Sequence, residues 1–261
     1  MDLGLQGKVV VVTGASKGIG LAIARALVAE GAYVVAGARS SSSELDELVA
    51  GGSAETVAVD LSTAAGPVAL VAAALEHGHL DVLVNNVGAA TTRTAGFLEI
   101  TDDEWLATIN LNLMAAVRTV RAALPSMLAA GAGVVVSTAS VNSFLPDPAV
   151  MDYSASKAAL ANFSKSLSRE VGSRGIRVNT VSPGPVATDL WLGADGVAAT
   201  VARAGGPAAV DVAAGAASQS VTGRFTHPDE VADLVVLLAS ERAGNVTGAD
   251  FVIDGGLIQT L

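Results

Sequence analysis

The stretch Val9-Val10-Val11-Val12-Thr13-Gly14-Ala15-Ser16-Lys17-Gly18-Ile19-Gly20 decides the fold. Four valines in a row cannot alternate between a wet and a dry face. They mark a strand covered on both sides, as strands of parallel sheets are. The glycines then permit a tight turn, and Ile19, Ala22, Ile23, Ala26 and Leu27 recur at helical spacing up to about Gly31. In a strand–turn–helix unit such glycines let the backbone approach a pyrophosphate closely. The start of the helix adds free N–H groups and a favourable dipole. Gly14, Ser16, Lys17, Gly18, Ile19 and Gly20 are therefore the candidate phosphate-facing residues. The alternative is a plain glycine-rich turn.

Outward from this unit the alternation continues. Strands are expected at Tyr33–Gly37, Thr56–Val59, Asp81–Asn85, Gly133–Thr138, Ile176–Val181 and Asp250–Ile253. Helices are expected around Val68–Leu75, over Trp105–Leu128 and Tyr153–Val171, and over Pro228–Ser240. Strand–helix alternation predicts an α/β fold: a three-layer, doubly wound parallel sheet of the Rossmann type. With no internal repeat and no linker-like break, residues 1–261 read as a single domain. Asp189–Gln219, rich in Ala, Gly and Val, interrupts the rhythm. It reads as a substrate-binding insert or lid, or else as a poorly ordered surface helix.

Composition narrows the function. The 261 residues carry 15 Lys plus Arg against 25 Asp plus Glu, a net charge of −10, which disfavours binding to a phosphate backbone. Hydrophobic residues make up 51%, enough to bury a large core, which excludes disorder. Mean hydropathy is +0.53, yet no run reaches the ~18 uninterrupted apolar residues of a membrane span. The absence of cysteine removes thiolate metal sites and thiol nucleophiles, and His77, His79 and His227 are too few for a metal cluster. No metal is expected. Val9–Val12 is too short for a signal sequence, so a cytoplasmic location is expected.

The Gly-x-x-x-Gly-x-Gly spacing resembles the short-chain dehydrogenase/reductase family, in its short single-domain branch, over essentially the whole chain. Asn85-Asn86-Val87-Gly88 is similar to that family's Asn-Asn-Ala-Gly element, with Val87 in place of Ala. Tyr153-Ser154-Ala155-Ser156-Lys157 is similar to its Tyr-x-x-x-Lys site. Ser182-Pro183-Gly184-Pro185-Val186-Ala187-Thr188 resembles its Pro-Gly nicotinamide loop, and Asp254-Gly255-Gly256 its C-terminal signature. The resemblance implies hydride transfer between a nicotinamide cofactor and a ketone or secondary alcohol. It implies that Asp60, with Leu61 beside it, meets the adenine, although Asp60 also reads as a helix cap. Asn86 and Gly88 would line the ribose and nicotinamide side, Pro183 and Gly184 would shape the loop, and Val186 and Thr188 would meet the carboxamide.

Cofactor choice follows from charge. An acidic side chain at the end of the second strand selects NAD by binding the ribose 2′-hydroxyl. Here that position is Ala38, followed by Arg39, with Lys17 in the turn nearby. Two cations suit a 2′-phosphate, so NADP(H) is favoured, with NAD(H) as the alternative. Lys17 and Arg39 also read as ordinary solvated charges.

At the reactive end, Tyr153 and Lys157 lie four residues apart on one helix and share a face. A phenol titrates near 10, about three units above neutrality, and a neighbouring ammonium should lower that value. Tyr153 is the expected general acid/base, and Lys157 would also hold the ribose. By resemblance Ser140 orients the reacting oxygen, with Ser137 and Ser143 as rivals. Asn112 would hold a water for the proton relay, with Asn110 as its rival. Trp191 is a candidate substrate contact and Trp105 a packing residue. The favoured substrate is a neutral, apolar free ketone. Alternatives are a 3-oxoacyl group on a carrier protein, an NAD-dependent alcohol or hydroxysteroid-type oxidation, and a non-catalytic nucleotide sensor. The resemblance implies a homotetramer, which would cover the apolar ending Leu257–Leu261.

Overall fold

The computed structural model describes residues 2–260. Its seven strands are β1 (Val9–Thr13), β2 (Tyr33–Ala38), β3 (Ala54–Ala58), β4 (Val82–Asn85), β5 (Gly133–Thr138), β6 (Ile176–Pro183) and β7 (Asp250–Ile253). They form one parallel sheet in the order β3-β2-β1-β4-β5-β6-β7. Because the strands are parallel, every residue that follows a strand emerges at the same edge. The chain leaves β1 for β2 on one side and reaches β4 on the other. That reversal opens a crevice beside the end of β1, where ligands of such sheets bind.

The side chains of β1 show the two-faced burial directly. Val10 and Val12 pack with α1 (Gly18–Ala29) and α10 (Pro228–Ala239), through Ile23, Leu27, Val231 and Val235. Val9 and Val11 face the opposite layer of α3 (Ala65–Leu75), α5 (Ala115–Ala130) and α6 (Met151–Val171), where Leu70, Ala123, Met127 and Leu167 are buried. The three-layer arrangement is the one the sequence predicts.

Several boundaries differ from expectation. β3 begins two residues early, because Ala54 pairs with Val34 of β2 despite its weak strand preference. The sequence reading has no element at α2 (Ser43–Ala50), a helix capped by the Ser42 hydroxyl, which accepts from the Leu45 N–H at 3.2 Å. The expected Trp105–Leu128 helix is two helices fused through one wide turn. α4 (Asp102–Ile109) starts at a capping box between Thr101 and Glu104. A π turn, Asn110–Met114, then joins it to α5. The continuous run Asp102–Ala130 is long and apolar enough to cross a membrane by composition alone. Its buried face nevertheless packs against the sheet, and Arg118 and Arg121 lie along it.

The insert is helical rather than loop-like. It holds α7 (Asp189–Leu192), α8 (Val197–Arg203) and α9 (Ala209–Gln219). Of these helices only Ala198 is buried. Of the apolar C-terminal ending, Leu257 and Ile258 are half-buried, whereas Leu261 lies outside the described residues.

Candidate active site

The glycine turn owes its shape to close contacts rather than to flexibility. A Cβ on Gly20 would sit 2.1 Å from the Gly14 carbonyl oxygen, and one on Gly14, at φ +67°, would lie 3.0 Å from the Val87 Cα. The turn is therefore pressed onto the end of β4. Thr13 forms the joint: its hydroxyl accepts from the N–H groups of Asn86 and Val87 at 2.8 and 3.0 Å. The Asn86 amide donates back to the carbonyls of Thr13 and Gly14 at 3.1 and 3.2 Å. In this structure Asn86 thus braces the turn, a part the sequence reading did not assign to it. α1 begins with no side-chain cap and no acidic residue in its first turn, so its N–H groups and positive dipole end are left for an anion. Ser16 and Ile19 are half-buried in this turn.

Ser16, Lys17, Gly18 and Arg39 line one cleft of about 600 Å³, together with Ser40 to Ser42, Glu44, Thr188 and Asp189. Lys17 is not free there: its Nζ lies 3.4 Å from the Asp189 carboxylate at the start of the insert. Two cations therefore face two carboxylates. Thr188 closes over the turn, 3.2 Å from where a Gly18 Cβ would stand. Asp60 is exposed and accepts from the N–H and hydroxyl of Ser62, which hold its carboxyl below the usual range. It does not cap a helix, since α3 is preceded by Ala64. Leu61 is buried in the core. Pro183 ends β6, and Gly184 packs so closely on Asp254 that a Cβ would meet it at 2.8 Å. Val186 bridges to Thr226.

The reactive residues meet beyond β4 and β5. Lys157 is 3% exposed and donates to the Thr138 carbonyl at 2.7 Å, with its Nζ 5.7 Å from the Tyr153 ring centroid. Burial lowers its pKa from 10.5 to about 8. The π turn aims Asn112 inward. Its amide donates to the carbonyls of Ala89 and Thr108 at 2.9 and 3.1 Å, and its oxygen accepts from the Ala89 N–H at 3.0 Å. A Cβ on Gly88 would stand 2.7 Å from that oxygen and 3.3 Å from Lys157 Nζ, so Asn112 and Lys157 both close on Gly88 and leave no room for a side chain there. Asn110 points elsewhere, donating to the Ser62 carbonyl and accepting from Arg118. Ser140, 6% exposed, donates to Asn142 at 3.1 Å and lies beside the Tyr153 hydroxyl. Ser137 is buried beside Asn85, and the Ser143 hydroxyl is buried without a partner.

One electrostatic expectation is reversed. Burial pushes the Tyr153 phenol above its ordinary value, and the Ser140 hydroxyl only partly offsets this. The ammonium expected to lower it is engaged by a backbone carbonyl instead. Trp191 does not stand alone in the insert: it packs edge-to-face on Phe225 at 5.5 Å. Two further features are not marked by any motif: Thr13, whose one signal is its place before Gly14, and a buried group of Arg93 and Asp152, signalled only by the place of Asp152 before Tyr153.

The family profile described as short chain dehydrogenase matches residues 8–195. The chain is similar to the 3-oxoacyl-[acyl-carrier-protein] reductase FabG of Vibrio harveyi, 36% identical over 98% of this chain and 99% of the relative. It is also similar to the D-threitol dehydrogenase of Mycolicibacterium smegmatis, 38% identical over 98% and 94% of the two chains. Among solved structures, L-sorbose reductase from Gluconobacter frateurii, complexed with NADPH and L-sorbose, superposes with a TM-score of 0.91. It is 36% identical, and both chains are covered completely.

Proposed function

This chain belongs to the short-chain dehydrogenase family, and from that premise we propose that it reduces a neutral free ketone to a secondary alcohol at the expense of NADPH. It is an oxidoreductase acting on CH–OH groups. The glycine turn and the bare start of α1 fit a pyrophosphate, and Lys17 and Arg39 fit a 2′-phosphate where an NAD-selecting carboxylate would otherwise stand. Asp60 would flank the adenine, with only the main chain of the core-buried Leu61 beside it; Asn86 and Gly88 the ribose; Pro183, Gly184, Val186 and Thr188 the nicotinamide end. Bound NADPH supplies the hydride.

The observation that carries the reading is geometric: the Tyr153 phenol lies beside the buried Ser140 hydroxyl, with the buried Lys157 ammonium 5.7 Å from its ring. A phenol so placed can pass its proton to a ketone oxygen held by Ser140. Ser140 would orient that oxygen, Lys157 would hold the ribose, and Asn112 would order the route by which the phenol regains its proton. A carrier-bound acyl substrate is less well served, because the insert offers one cation for an acidic carrier, Arg203, and it faces Asp195 at 3.2 Å. A homotetramer fits the exposed Leu106 of α4 and Val252 of the edge strand β7, and light scattering measures it.

The test is NADPH oxidation with cyclohexanone, ethyl acetoacetate and L-sorbose. Tyr153→Phe should lower turnover by at least about 100-fold and leave NADPH binding intact. Ala38→Asp with Arg39→Ala should swing preference to NADH. Near-full activity of Tyr153→Phe refutes the mechanism, and a wild type preferring NADH by about tenfold refutes the cofactor assignment. Silence on every ketone with tight NADPH binding would favour a nucleotide sensor.

A further inference from the structure

Arg93 and Asp152 form a buried ion pair that the reaction above does not use. Arg93 lies in the loop between β4 and α4, and Asp152 in the first turn of α6, one residue before Tyr153. The guanidinium is 9% exposed, the carboxylate 1%, and they meet at 2.5 Å. The second arm of Arg93 reaches Glu104 of α4 at 2.6 Å, and its main-chain N–H donates to the Ala149 carbonyl at 2.7 Å. The Asp152 oxygen that takes Arg93 also accepts from the Thr108 hydroxyl at 2.8 Å. The Thr108 carbonyl in turn receives the Asn112 amide. One carboxylate oxygen thus gathers the loop, the end of α4 with the π turn beyond it, and the start of α6.

Asp152 Oδ1 and Arg93 Nε are both buried with no hydrogen-bond partner. Orphaned atoms on buried charges cost stability, and a well-packed apolar pair commonly serves a fold as well or better. A pair arranged this way, touching the segments that carry Asn112 and Tyr153 but not those residues' reacting atoms, suits alignment more than cohesion. We propose that Asp152 is a positioning residue. Through Arg93 and Thr108 it holds the loop after β4, the turn bearing Asn112 and the first turn bearing Tyr153 in one fixed register. The inference rests on Tyr153 and Asn112 acting as proposed above.

Three variants test it: Asp152→Asn, the isosteric Thr108→Val, and the apolar pair Arg93→Met with Asp152→Leu. Each is assayed for NADPH-dependent reduction of whichever probe ketone the wild type turns over, for NADPH binding by fluorescence, and for Tm. Because a displacement of about 1 Å can cost about 100-fold, Asp152→Asn should lower kcat on that scale, and Thr108→Val about tenfold. KM for the ketone and Kd for NADPH should stay within about threefold, since the binding surfaces are untouched. The apolar pair should regain the wild-type Tm and keep the low kcat. A folded Asp152→Asn or Thr108→Val with kcat within about threefold of wild type overturns the proposal. So does an apolar pair that restores kcat together with Tm. If both charge variants fail to fold, Thr108→Val, which leaves the ion pair in place, decides alone. Tyr153→Phe run alongside separates the two readings: its retained activity refutes the role of the phenol, not the alignment.

Discussion

Replacing Lys157 with Met keeps the length of the stem and removes a buried charge. In the folded protein the ammonium is 3% exposed, and its pKa falls from 10.5 to about 8. The unfolded chain titrates at the ordinary value, so between these two values it binds more protons than the folded protein. Stability must therefore rise with pH across that window. The depressed value marks a cost that is fully present below the folded pKa and fades as pH climbs to the unfolded one. Weighing the two equilibria gives a cost of about 3 kcal/mol at about pH 7 and about 1 kcal/mol at about pH 10. The variant escapes this cost. It also loses the hydrogen bond to the Thr138 carbonyl at 2.7 Å, at either pH. Relative to wild type, its unfolding free energy should thus fall by about 2 kcal/mol from about pH 7 to about pH 10. Urea unfolding without NADPH, followed by the fluorescence of Trp105 and Trp191, reads the difference directly. A difference that stays flat across this range would show that Lys157 titrates as an exposed amine and would undo the electrostatic account of the site.

Thr13→Val leaves the N–H groups of Asn86 and Val87 without their acceptor. At about 1–3 kcal/mol for each buried orphan, urea unfolding should register a loss of at least about 2 kcal/mol. Gly20→Ala would drive a Cβ to 2.1 Å from the Gly14 carbonyl oxygen, so the turn must shift. NADPH affinity by fluorescence titration should fall by at least about tenfold, or about 1.4 kcal/mol.

The parts of the fold that could be read from the chain are those where local sequence and tertiary packing agree. The valines of β1 and β5 have no other way to be buried, and the expected bounds of β5 and β7 coincide with those observed. The bounds of β3 shift because Ala54 and Glu55 are indifferent strand formers whose conformation is imposed by β2. The missed α2 carried its own signals: a Ser42 cap, acidic residues in the first turn, and Leu45, Leu48 and Val49 at helical spacing. At the site, motif spacing brought Asn112, Ser140, Tyr153 and Lys157 together. What spacing could not supply was the competition around each group. Whether an ammonium sees a phenol or a carbonyl depends on how β5 ends beside α6. Whether the exposed Lys17 has Asp189 as a partner depends on an insert folded from residues with weak preferences. The Arg93 and Asp152 pair spans a loop whose path no periodicity describes.

The strand order also sets the sequence in which the protein can come into being. β1 is made first and has β2 available as the next strand, but its other neighbour, β4, is reached only after β3 and α3 have been synthesised. Until then β1, an inner strand of the finished sheet, is an open edge, the kind of surface that invites pairing with other chains. The glycine turn cannot take its final shape before Asn86 and Val87 arrive to hold Thr13. Lys157 cannot grip the Thr138 carbonyl until α6 has formed and docked beside β5. Nascent chains stopped short of β6 are thus predicted to hold no working site, and the short segment ending at β3 is the stage at which a chaperone is most needed.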